Sequence, residues 1–184
     1  MNESGPVFLV GVKGSGKSHI GRLVARSTGR SFIDTDSEVE RDYALEAGRT
    51  LAVRDIYRID EGHTFRRLEA MVCRSIAARS GPVIVATGGG VCDNQGAAAE
   101  LSAGIVVALQ ADSALLFRRI LRKGLPPFLA NRSEAQTEFE QLHRRRWAIY
   151  EAMAQIVVDV NDRPPAEIAA EIVIRLEEFL HGGK

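Results

Sequence analysis

A three-layer α/β/α domain around a parallel sheet is the fold class this sequence predicts, and three observations lead to it. Short β-branched runs recur between longer stretches of helical period, which is the pattern of βαβ units. Those runs are apolar almost throughout, as strands covered by helices on both faces must be. The first run leads straight into a glycine-rich stretch followed by a helical pattern. At 184 residues the chain can bury a full core, and one domain, residues 1–184, is expected.

Strands are predicted at residues 7–10, 31–33, 83–86, 105–109 and 156–160. The helix predicted at 18–27 carries Ile20, Leu23 and Val24 at helical spacing. A second, at 37–47, opens on Ser37, a residue type that caps a first turn, with Glu38 and Glu40 placed to favour the helix dipole. Further helices are expected at 65–78, 113–123, 134–152 and 165–180. The stretch KGLPPFLANRS, residues 123–133, is different. Gly124, Pro126 and Pro127 deny it regular structure, and Arg122, Lys123 and Arg132 flank it, so a loop is predicted.

Lys plus Arg number 24 and Asp plus Glu number 24, so no global field draws the chain to nucleic acid or to an anionic membrane. Any anion site must be local. Cys73 and Cys92 are too few and too far apart for a disulfide scaffold or a zinc module; they read as buried, inert thiols in a reducing compartment. No stretch approaches the roughly 20 apolar residues of a spanning helix, and no signal-peptide pattern stands at the start, so a cytoplasmic address is expected. His19, His63, His143 and His181 show no metal-ligand spacing with each other or with the cysteines.

The glycine-rich stretch, GVKGSGKS at residues 11–18, matches G-x-x-x-x-G-K-[ST] between a strand and a helix. Gly11, Gly14 and Gly16 permit backbone conformations that turn successive N–H groups around a phosphate at the positive end of the helix. Gly11, Gly14, Ser15, Gly16, Lys17, Ser18 and His19 are the candidate nucleotide contacts. Within that set Lys17 is placed at the β and γ phosphates and Ser18 at Mg²⁺. The competing reading is a plain glycine-rich turn.

The second strand runs into Asp34-Thr35-Asp36, expected just beyond a neighbour of the phosphate-loop strand and facing the same cleft. On extended chain the two carboxylates point the same way, so one can serve Mg²⁺ through water and the other a substrate hydroxyl. A helix cap is the alternative. The third strand runs into Thr87-Gly88-Gly89-Gly90, which suits either a close backbone approach to a ligand or a sharp turn. Arg66, with Glu69 three residues on, and the cluster Arg144 to Arg146 before Trp147 are each read as a solvated or packed face or as a binding group.

Together these pieces resemble the shikimate kinase family: GVKGSGKS (11–18), DTD (34–36), FRRLE (65–69), TGGG (87–90), RRRWAIY (144–150) and VNDRPP (160–165). The resemblance implies a P-loop kinase fold with a central five-stranded parallel sheet, a substrate subregion at about 34–65 and a lid at about 122–133. It implies phosphoryl transfer from ATP, with Mg²⁺, to shikimate, a step of aromatic amino acid biosynthesis, by a monomer. Lys17 and Asp36 are then catalytic, and Ser18 and Asp34 serve the metal. Asp36, Arg66, Gly88, Gly89, Gly90 and Arg146 surround the substrate, while Arg119, Arg163 and Pro165 sandwich adenine.

Three departures stand out. The lid arginine that usually precedes a proline is replaced in Pro126-Pro127; about six extra residues lie between Asp36 and Ile56; and the usual Gly-Glu before the FR motif reads Glu61-Gly62. Arg122, Lys123 or Arg132 is the expected substitute for the lid cation. The alternatives are a kinase for a different small hydroxylated metabolite, and a nucleotide-binding relative with weak or no turnover.

Overall fold

A computed structural model describes residues 5–123 and 134–182. Five strands, β1 Pro6–Val10, β2 Ser31–Asp34, β3 Val83–Ala86, β4 Ile105–Gln110 and β5 Ile156–Asp159, pair in the order β2-β3-β1-β4-β5. Every pairing is parallel. All residues of β1 and β3 are buried, and β4 exposes only its last, Gln110. That burial follows from helices on both faces, and it explains why these strands read as unbroken apolar runs.

Among the described residues eight α-helices complete the layers: α1 Lys17–Thr28, α2 Thr35–Ala47, α3 Val53–Ile59, α4 His63–Ala77, α5 Gln95–Glu100, α6 Ser113–Lys123, α7 Ala135–Met153 and α8 Pro165–His181. Helices α1 and α8 pack on each other, and α4 packs against α2, α3 and α5. The chain leaves β1 towards β2 and β3 on one side, then crosses back to β4 and β5 on the other. The crevice at this reversal, beyond the carboxyl ends of β1 and β3, is where an open α/β sheet receives its ligand.

The structure departs from the sequence reading in four places. Helix α2 starts at Thr35, not Ser37, because Asp34 caps it by accepting the Asp36 N–H at 3.1 Å. Strand β3 lies between β1 and β2, so the acidic turn follows a strand once removed from the phosphate loop. Helix α3 was not expected; it buries only Ile56, too little for a periodic signal, and is anchored by Glu40 Oε1 accepting the Val53 N–H at 2.9 Å. Helix α5 was not expected either, being short and started by the Asn94 side chain. Of the predicted loop and lid, only Arg122 and the helical end at Lys123 fall within the described residues; Arg132 and the Pro126-Pro127 pair lie outside them.

Candidate active site

The phosphate loop is a backbone construction. Gly16 starts α1 in the left-handed region at φ 93°, which a residue with a Cβ adopts only with strain. Gly11 has φ 147°, and a Cβ there would meet the Leu109 carbonyl oxygen and Ser15 Oγ at 2.9 Å. Lys17, only 8% exposed, folds back across the loop. Its Nζ donates to the carbonyl oxygens of Gly11 (2.7 Å) and Val12 (3.3 Å) and to Ser15 Oγ (3.4 Å). Burial lowers this ammonium to about 8 against the upward pull of Asp36 and Asp34, while Arg146 and Lys13 lower it further. An ammonium held on carbonyl oxygens in a dry loop gains by moving onto an anion.

Beside the loop lies a recess of about 210 Å³ that brings together Gly14, Gly16, His19, Arg119, Arg163 and Pro165. Arg119 reaches the Gly14 carbonyl at 3.3 Å. Arg163 donates to the Asp159 carbonyl at 2.9 Å and to Glu171 at 2.6 Å. These bonds hold both arginines in the lining of the recess. Ser18 is the second residue of α1, and Asp34 ends β2. A hydroxyl and a carboxylate are hard oxygen donors of the kind Mg²⁺ accepts alongside water and phosphate.

Asp34 and Asp36 are not neighbours on an extended strand, so the expected i and i+2 alignment is replaced by a helix start. Asp34 does cap, as the alternative reading held, and the cap leaves Asp36 in the first turn of α2. There burial raises its carboxyl to about 6, helped by Asp34 and Glu69 and opposed by Lys17 and Lys13. That acid shares one electrostatic neighbourhood with the phosphate loop.

Behind it, Thr35 Oγ1 accepts the Gly88 N–H at 3.0 Å, tying α2 to the turn after β3. A Cβ on Gly88 would stand 3.0 Å from both Asp36 Oδ1 and Glu69 Oε1; one on Gly89 would meet the Lys13 amide at 2.8 Å; one on Gly90 would meet Arg146 Nη2 at 2.8 Å. None of the three lies in the left-handed region. Crowding, not backbone sign, disfavours a side chain here, most firmly at Gly89, where the neighbour is backbone.

Two arginines flank the glycine run, each held by an acid. Arg66 donates to Glu69 at 2.8 Å and to the Gly90 carbonyl at 3.1 Å, and Asn94 donates to Glu69 at 3.0 Å and to the Arg66 carbonyl at 2.8 Å. Glu69 is 1% exposed, and its Oε1 has no hydrogen-bond partner among the described residues. Arg146 donates through Nε (3.0 Å) and Nη2 (2.6 Å) to Asp93 and through Nη1 to the Gly89 carbonyl at 3.1 Å. Arg67 turns to the exposed Glu46, Arg144 is exposed, and Trp147 packs on the core.

Asp93 and Asn94 carried no signal in the sequence, because single polar residues after a glycine run match no motif. The cysteines are buried and free, with Cys73 pushed up to about 12 by burial and Cys92 also raised, which keeps both as thiols. His143 Nε2 sits 2.9 Å from the Ala111 carbonyl. Among the described residues no helix is long and apolar enough to cross a membrane.

The comparisons with known proteins follow the same outline. A family model described as shikimate kinase matches residues 13–177. The shikimate kinase of Desulforudis audaxviator is 39% identical over 156 residues, covering 84% of this chain and 77% of that one. The one from Mycobacterium leprae is 35% identical over 172 residues, covering 94% and 82%. Among solved structures, a shikimate kinase from Acinetobacter baumannii in complex with shikimate superposes with a TM-score of 0.80 at 27% identity, covering 99% of this chain and 96% of that one.

Proposed function

The chain belongs to the shikimate kinase family, and from that premise we propose that it transfers the γ-phosphoryl group of ATP to a hydroxyl of shikimate. The observation that supports the proposal is Asp36, an acid with a raised carboxyl that feels both Lys17 of the loop and Glu69, the acid that holds Arg66. The loop amides and Lys17 hold the β and γ phosphates, and Arg119, Arg163 and Pro165 take the base. Arg66, Arg146 and the Gly88 to Gly90 backbone receive the acceptor's carboxylate and ring.

Asp36 binds the acceptor hydroxyl and accepts its proton as the new O–P bond forms and the bond to the ADP oxygen breaks. Ser18 and, through water, Asp34 would hold Mg²⁺, which supplies charge neutralisation at the phosphates. Position and electrostatics carry the chemistry, and no covalent intermediate with the protein is needed.

The test is direct: measure ADP release with and without shikimate. A rise on adding shikimate supports the proposal, and no rise with ATP binding intact removes it. A second acceptor, another hydroxylated carboxylate, is favoured by the rebuilt acceptor side, where Gly62 at φ 94° starts α4 in place of the family's usual order. A panel of such acceptors in the same assay separates the two. The substrate subregion at 34–65, the monomeric state and the cytoplasmic address belong to this proposal, and light scattering on the purified protein tests the second.

A further inference from the structure

Arg146 is a buried cation on α7, 53 positions along the chain from the acid that holds it. Asp93 ends a single 3-10 turn, Val91–Asp93, that begins immediately after the glycine run. Its N–H donates to the Gly90 carbonyl at 3.0 Å, so its carboxylate is carried on the same stretch of backbone as the glycine run. One oxygen, Oδ2, takes both Nε and Nη2 of Arg146, and the other lies 3.2 Å from Arg145 Nη2.

A guanidinium gripped along its Nε and Nη2 edge, and tied at Nη1 to the Gly89 carbonyl, has its plane set. The contact is sheltered: the Asp93 side chain is 16% exposed and that of Arg146 8%. The construction parallels that of Arg66 with Glu69, but there the acid is on the same helix three residues away. Here it bridges the turn after β3 to α7.

We infer that Asp93 is a positioning residue, which orients the Arg146 guanidinium towards the acceptor's carboxylate and thereby sets affinity for that substrate without touching it. The inference rests on the reading of Arg146 as an acceptor contact. It also makes Asp93 the neutralising charge for a buried arginine whose field reaches Lys17. Affinity for a carboxylate then depends on the geometry of the fork more than on bare charge.

Steady-state kinetics of Asp93→Ala, Asp93→Asn, Arg146→Ala and the Asp93→Ala/Arg146→Ala pair test it, after a melting curve on each. Loss of a charge-assisted contact predicts an acceptor KM about 10- to 100-fold higher in Asp93→Ala. The KM for ATP stays within about twofold. Asp93→Asn keeps an oxygen acceptor and recovers part of the loss, which also serves if the alanine variant does not fold. In the Arg146→Ala background, removing Asp93 adds less than about threefold, because its effect passes through Arg146.

An acceptor KM unchanged in both Asp93 variants overturns the inference, as does an equal effect of Asp93→Ala with and without Arg146. Wild-type protein that phosphorylates no hydroxylated carboxylate overturns the functional reading first, and this inference with it. An active wild type with an unmoved Asp93→Ala leaves that reading standing and removes only the positioning role.

Discussion

Residues 11–18 build the phosphate loop in one uninterrupted stretch, whereas the proposed acceptor basin draws Asp36 from α2, Arg66 from α4, Gly88 to Gly90 from the turn after β3 and Arg146 from α7. The loop is shaped by backbone: glycines at φ 147°, 94° and 93° and a lysine folded onto carbonyl oxygens. The basin is shaped by side chains, two arginines each on its own acid and an acid crowded against Gly88. The difference teaches where each half tolerates change. A backbone cradle depends on the presence of small residues, while a paired cradle depends on both partners, since removing one leaves the other a buried charge.

Lys17→Ala attacks the loop and is expected to produce the largest effect, a loss of about 10³- to 10⁵-fold in turnover, because the transferring phosphoryl group loses its fixed cation. A variant with turnover near wild type would remove Lys17 from the chemistry. Asp36→Asn attacks the basin; turnover drops about 10²- to 10⁴-fold while the KM for ATP holds, which separates the two halves of the cleft. If the KM for ATP rises instead, Asp36 belongs to the nucleotide side.

Arg66→Ala is expected to raise the acceptor KM about 10- to 100-fold and to cost about 2 kcal/mol of stability, since Glu69 remains buried without its partner. Equilibrium unfolding in urea alongside kinetics checks both halves of that statement.

The pH profile of kcat/KM sharpens the comparison further. Asp36 must be ionised to take a proton, and with its carboxyl raised to about 6 the rate falls as pH drops below that value. Lys17 must be charged, and with its ammonium lowered to about 8 the rate falls as pH rises above that value. Each limb approaches about tenfold per pH unit, and a flat profile down to about pH 5 would exclude Asp36 as the base. Arg67→Ala should do least: its partner Glu46 is exposed, so stability shifts by less than about 1 kcal/mol and the acceptor KM is unmoved.

The nucleotide half was legible because its chemistry is local. A strand, three glycines, Lys17 and Ser18 sit in one window, and the same window sets their backbone geometry. Strands β1, β3 and β4 were legible for a related reason, since burial on both faces writes an unbroken apolar run. Asp36 and the Gly88 to Gly90 run were legible from their places after strands, but the two arginines only through the resemblance to a family: Arg66 and Arg146 alone look like charges on helix faces.

What escaped were groups that mean something only in three dimensions. Asp93 lies 53 positions from Arg146, Asn94 lies 28 from Arg66, and helix α3 has a single buried residue to announce it. The sequence puts the start of α2 two residues late because Asp34 and Ser37 both suit a cap, and only tertiary placement of Asp34 at the end of β2 decides between them.

Following the γ-phosphoryl label from ATP tests the central claim most directly. With shikimate and Mg²⁺ present, the account predicts label in a phosphate ester of shikimate, abolished in both Lys17→Ala and Asp36→Asn. Label that stays in ATP, or leaves only as inorganic phosphate, contradicts it.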